Sequence, residues 1–66
     1  MNELGRFIKK RLIDQGRTQV ELADRIGVKP QYLSSIIRGK KGPGKYTPAL
    51  ARELGIREEE LRRLCA

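Results

Sequence analysis

Apolar residues recur every three or four positions along this chain, and no stretch alternates residue by residue as a strand would. Leu4, Phe7, Ile8 and Leu12 share one stripe, which predicts a first helix from about Asn2 to Gln15, ended by Gly16. Leu22, Ala23 and Ile26 form the stripe of a second helix that stops at Gly27. Thr18-Gln19-Val20-Glu21 opens it with capping-box spacing: the Thr18 side chain can accept from the Glu21 amide while Glu21 reaches back. The chain then restarts within three residues in "GVKPQYLSSIIRG". Pro30 suits the first position of a helix, where its missing N–H costs nothing. Tyr32, Leu33, Ile36 and Ile37 then line one face as far as about Arg38, before Gly39.

A loop rich in Gly, Pro and Lys, "GKKGPGKYT", follows. Thr47 and Pro48 read as cap and first turn of a fourth helix that ends at Gly55. Arg57-Glu58-Glu59-Glu60 starts a fifth, with three acids in the first turn to complement the helix dipole. Leu50, Leu54, Ile56, Leu61 and Leu64 join the core. The expectation is an all-α fold of five short helices. No internal repeat or linker interrupts it, so residues 1–66 read as a single domain.

Size limits what such a chain can do. Sixty-six residues bury only about 60% of their unfolded surface, so the core is small. One cysteine, Cys65, excludes an internal disulfide, and with no histidine there is no zinc-ligand set. No cofactor is expected. No apolar run is long enough for a spanning helix or a signal peptide, and the lone thiol suits a reducing compartment, so a cytoplasmic location is expected.

Charge changes the picture more. The net charge is +7, and it is unevenly placed. Residues 1–24 hold five bases and four acids, and residues 53–66 hold three bases and four acids. Residues 25–52 hold seven bases (Arg25, Lys29, Arg38, Lys40, Lys41, Lys45 and Arg52) and no acid. A solvated surface is one account of a charge run. A basic stripe confined to one segment is also the footprint of a polyanion binder.

Two helices of eight to ten residues joined by a turn with a glycine and an apolar residue describe a helix-turn-helix, here at about 18–38. Ala23 stays small where the helices cross, Gly27 can take the left-handed turn conformation, and Val28 plugs the corner. The stretch "TQVELADRIGVKPQYLSSIIRG", with "LARELGI" downstream, resembles the lambda-repressor/Cro type of helix-turn-helix protein, the XRE family. The likeness covers about residues 4–64. It implies a five-helix domain that binds double-stranded DNA as a transcriptional regulator of a phage, plasmid or operon. Most members act as a homodimer on an inverted repeat, inside a bacterial or phage-infected cell and associated with the nucleoid.

The resemblance also implies which residues touch DNA. The third helix, about 29–38, would enter the major groove N-terminal end first. Lys29, Pro30, Gln31 and Ser35 match positions that face base edges, with Ser34 nearby. Gln31 could pair with adenine and Lys29 could reach guanine. Thr18 and Gln19 match the backbone-contacting start of the second helix. Tyr32, Arg38, Lys40, Lys41 and Lys45 are the remaining candidates for phosphate contact, whereas Lys9, Lys10 and Arg11 read as solvated surface. Two departures stand out. Leu12 and Ile37 replace an arginine–glutamate pair frequent in the family, which predicts an apolar contact. Lys29 replaces the usual Ser or Thr cap, at a cost of about 1 kcal/mol.

Other functions fit less well. "GKKGPGK", residues 39–45, imitates a phosphate-binding P-loop, but Tyr46 stands where a Ser or Thr should follow the lysine. The acids sit singly or on exposed faces, no nucleophile has a base, and Cys65 reads as inert, so an enzyme is not expected. The serious rival is an antitoxin or adaptor that binds a protein partner through its C-terminal helix, presenting Leu61 and Leu64. Such a role has no need of an acid-free basic segment.

Overall fold

In the computed structural model, which describes residues 2–65, five α-helices enclose one core and no strand occurs among the described residues. They are α1 (Glu3–Gln15), α2 (Gln19–Ile26), α3 (Pro30–Ile37), α4 (Thr47–Leu54) and α5 (Glu58–Cys65), with one turn of 3-10 helix at Gly44–Tyr46. Helix α2 packs on α3 and α4, while α1 packs on α3, α4 and α5. The molecule measures 25 × 22 × 20 Å.

The four helix ends marked by glycine close in one way. The glycine N–H and the N–H that follows turn back onto two carbonyls of the last turn, as in Gly27 to Asp24 (3.2 Å) and Val28 to Ala23 (2.9 Å). Gly27 adopts φ 80°, a left-handed conformation that costs a residue with a Cβ about 1–2 kcal/mol. Val28, next in line, folds onto the core as the corner plug. At the other end of α2 both halves of the capping box form. The Glu21 N–H donates to Thr18 Oγ1 (3.1 Å), and the Thr18 N–H donates to Glu21 Oε1 (2.9 Å).

The predicted apolar stripes meet in the interior. Leu4, Ile8, Leu22, Ala23, Leu33, Ile36, Leu50, Leu54 and Leu61 are essentially inaccessible, as is Ala51, which the sequence reading did not name. Leu12 and Ile37 are both buried in this cluster, as expected where the family's ion pair is missing. Phe7, Val28, Tyr32, Ile56 and Leu64 are half-buried around it.

Two expectations change. Thr47 does not cap α4: it is the first helical residue, buried, and its hydroxyl donates to the Gly44 carbonyl at 2.7 Å. The residue before it, Tyr46, ends the 3-10 turn, so no open loop residue is left to cap the helix. Glu53 is not a lone acid. It accepts from Arg17 Nη1 at 2.8 Å and Arg25 Nε at 3.2 Å, tying the start and middle of the helix-turn-helix to α4.

Candidate nucleic-acid interface

Helix α3 has two unlike faces because its apolar residues fall at helical spacing. Leu33, Ile36 and Ile37 are buried, and Lys29, Pro30 and Gln31 are exposed at its N-terminal end. Lys29 stands at the N-cap in extended conformation and offers no side-chain cap, because an ammonium has no acceptor for a backbone N–H. The first turn carries no acid. The N-terminal amides of α3 and the adjacent Lys29 ammonium thus have no acid beside them in that turn, an arrangement that favours an anion.

The serines behave differently. Ser35 Oγ donates to the Gln31 carbonyl at 3.1 Å, and Ser34 Oγ accepts from Arg38 Nη2 at 3.0 Å. Both are half-buried and already bonded within one turn of α3.

Beside α3 lies an open concavity of about 590 Å³. The turn contributes Gly27 and Val28, α3 and its cap contribute Lys29, Gln31, Tyr32 and Ser35, and the following segment contributes Lys41 and Tyr46. Five of the predicted contact residues therefore share one surface. Tyr46 was missed by sequence reasoning. The ring of Tyr32 meets that of Tyr46 edge to face, centroids 5.5 Å apart at 73°. Lys41 Nζ sits 4.7 Å above the Tyr32 ring and Lys45 Nζ 5.4 Å from that of Tyr46. An aromatic before Thr-Pro was the available signal, but nothing local says which ring it meets.

Thr18 and Gln19 lie elsewhere, at the start of α2. The Thr18 hydroxyl is engaged by the capping box, and Gln19 is half-buried beside Lys9, Leu12, Ile13 and Arg17. Arg38 and Lys40 are exposed at the end of α3. Among the described residues, Lys29, Arg38, Lys40, Lys41 and Lys45 form no ion pair. Arg25, the first of the seven bases in the acid-free segment, is held by Glu53. Arg11, expected as plain surface, lies 5.2 Å from the Phe7 ring centre and is half-buried.

Two carboxylates stand below the usual range. For Glu53 the main cause is the Arg17 hydrogen bond and the second that of Arg25; for Glu21 it is the Thr18 backbone N–H. Cys65 is exposed, and local desolvation by its neighbours raises its thiol, which makes it a poorer nucleophile at neutral pH. No helix among the described residues is long and apolar enough to cross a membrane.

Five helices with a glycine-cornered pair, cations exposed at both ends of α3 and a partly buried ion-pair strut define a lambda-repressor/Cro-type helix-turn-helix domain. The helix-turn-helix family model matches residues 8–47, so the chain belongs to that family, which is not one of enzymes. It is similar to "Repressor protein C" of Rhizobium phage 16-3, with 36% identity over 64 residues, 97% of this chain. The chain spans only 24% of that relative's length. No solved structure matches the chain at a significant level.

Proposed function

We propose that the chain binds duplex DNA sequence-specifically, as a small transcriptional regulator of the repressor kind and a homodimer on an inverted repeat. Residues 1–66 act as one DNA-binding domain in the cytoplasm of a bacterial or phage-infected cell, at the nucleoid. The observation that carries this reading is the unpaired cationic surface around the exposed end of α3. An enclosed catalytic cleft is a poor description of a shallow, lysine-edged concavity, whereas a DNA backbone and groove edge fit one.

In this reading α3 enters the major groove. Lys29, Pro30 and Gln31 meet base edges first, and Ser34 and Ser35 follow at the deeper turn. Lysine bidentate to guanine, or glutamine to adenine, supplies about 1–3 kcal/mol of discrimination each. Arg38, Lys40, Lys41, Lys45 and Tyr32 take phosphates on one flank, and Thr18 and Gln19 take them on the other. A single half-site of this size is weak, which favours two copies with half-site centres about one helical turn apart. The similar phage protein, named a repressor, supports the direction of regulation. A role as an antitoxin or adaptor engaged through α5 would leave the unpaired lysines without a task.

Selection of bound duplexes from a random-sequence pool at physiological salt tests this. An enriched inverted repeat is the expected result. Strong low-salt binding with no enriched sequence would reject sequence-specific regulation.

A further inference from the structure

The geometry points to Tyr46 as a positioning residue that, through the Tyr32 ring, presents Lys41 to one phosphodiester of the DNA backbone beside α3. This rests on the DNA-binding reading above and adds to it a residue with no charge and no place in the helix-turn-helix. Tyr46 stands on a rigid post. Pro43 is buried, the Tyr46 N–H donates to the Pro43 carbonyl at 2.9 Å, and Thr47 Oγ1 donates to Gly44 at 2.7 Å. That post is continuous with α4 and so with the core.

From it the Tyr46 ring meets Tyr32, whose own ring is half-buried against the core from α3. The two rings make a wall between recognition helix and lysine segment, one from each side. Lys41 lies on an exposed stretch between Gly39 and Gly42, which on its own would leave its ammonium to roam. The ring face beneath it, 4.7 Å away, fixes one side of the ammonium by electrostatic attraction to the π cloud and leaves the other side open. The concavity, which Lys29 also lines, supplies the open side. A phosphate oxygen entering there meets a cation already placed, which reduces the ordering cost of contact.

The test is the salt dependence of affinity for a fluorescein-labelled, mixed-sequence duplex. It compares the parent chain with Lys41→Gln, Tyr46→Leu, Tyr46→Phe and the double variant Lys41→Gln/Tyr46→Leu, each checked for helical content. Loss of one phosphate contact makes the slope of log K against log[salt] shallower by about 0.9 per bound protomer. Lys41→Gln is expected to show that change. Tyr46→Leu is expected to show the same change although it removes no charge, and the double variant no more. Tyr46→Phe, which keeps the ring, is expected to keep the parental slope. A parental slope in Tyr46→Leu, a doubled change in the double variant, or a shallower slope in Tyr46→Phe overturns the assignment. No binding by the parent chain would remove the DNA-binding reading itself. Should Tyr46→Leu fail to fold, proton spectra of the parent decide. The Lys41 side-chain signals are expected to be shifted upfield by the Tyr32 ring and to stay so when duplex is added. Their move to ordinary positions on binding overturns the clamp.

Discussion

Arg17 Nη1 donates to Glu53 Oε1 at 2.8 Å, joining residues 36 apart in sequence, and Arg25 completes the cluster from α2. The Glu53 side chain is only 12% exposed, so solvent screens this pair less than a surface pair. It braces α2, and with it the angle at which α3 leaves the turn. Glu53→Gln keeps the shape and removes the charge, and should cost about 1 kcal/mol of stability near neutral pH. Both hydrogen bonds favour the carboxylate, Arg17 most, so the folded-state value lies below the ordinary one. The stabilisation is therefore complete above the unfolded value, near about pH 4.3, and is lost as pH falls through the folded value. Urea midpoints measured from about pH 6 to about pH 3 should fall less steeply in Glu53→Gln than in the parent. Parallel profiles would show that the cluster adds nothing.

The glycines that close α2 and follow α3 make a paired comparison. Gly27 and Gly39 have similar φ values, 80° and 82°. A Cβ at Gly27 meets nothing within 4 Å, so Gly27→Ala should cost only the backbone term, about 1 kcal/mol. A Cβ at Gly39 would come within 3.1 Å of Asn2 Nδ2. Asn2 caps α1 by accepting from the Gly5 N–H at 2.8 Å, so Gly39→Ala disturbs a second element. Its melting temperature should fall further than that of Gly27→Ala. Equal losses would mean that the asparagine side chain moves aside freely.

The elements were legible where a single residue type decides the backbone locally. Glycine at a helix end, proline at N1 and the Thr18–Glu21 box each work within a few residues, and the structure follows them. Thr47 was misread because a threonine before proline looks alike as cap or first residue, and only the preceding 3-10 turn distinguishes them. The site was legible as a charge segment but not as a surface. Glu53 lies one residue beyond the acid-free segment, and no local pattern shows that it reaches back to Arg25 and Arg17. The Tyr32–Tyr46 contact and the bonded hydroxyls of Ser34 and Ser35 likewise depend on side-chain placement in space.

Gln31 and Lys40 should separate base reading from backbone attraction. Gln31 is exposed on the leading turn of α3, and Lys40 is exposed beyond its end. Gln31→Ala should relax base preference at one position of each half-site, losing about 1–3 kcal/mol of discrimination there. Lys40→Ala should weaken all sequences alike and make the salt slope shallower by about 1 per protomer. Selection profiles and salt titrations of both variants check this. Equal loss of base preference in both would overturn the sorting.

Lys29 sets a helix-capping role against a ligand-binding one at a single position. As the N-cap of α3 it makes no side-chain hydrogen bond, so serine at that position would satisfy an amide that lysine leaves bare. Lys29→Ser should therefore stabilise the fold by about 1 kcal/mol in chemical denaturation. The same change removes a cation from the concavity that Lys41 also lines. Duplex affinity should drop. If Lys29 reads a base, the loss concentrates on one position of the selected sequence. If it holds a phosphate, the loss is uniform and the salt slope becomes shallower by about 0.9 per protomer. A variant that is more stable and binds as well as the parent would show that Lys29 has no part in recognition, and the base-contact set would shrink to Gln31 and its neighbours.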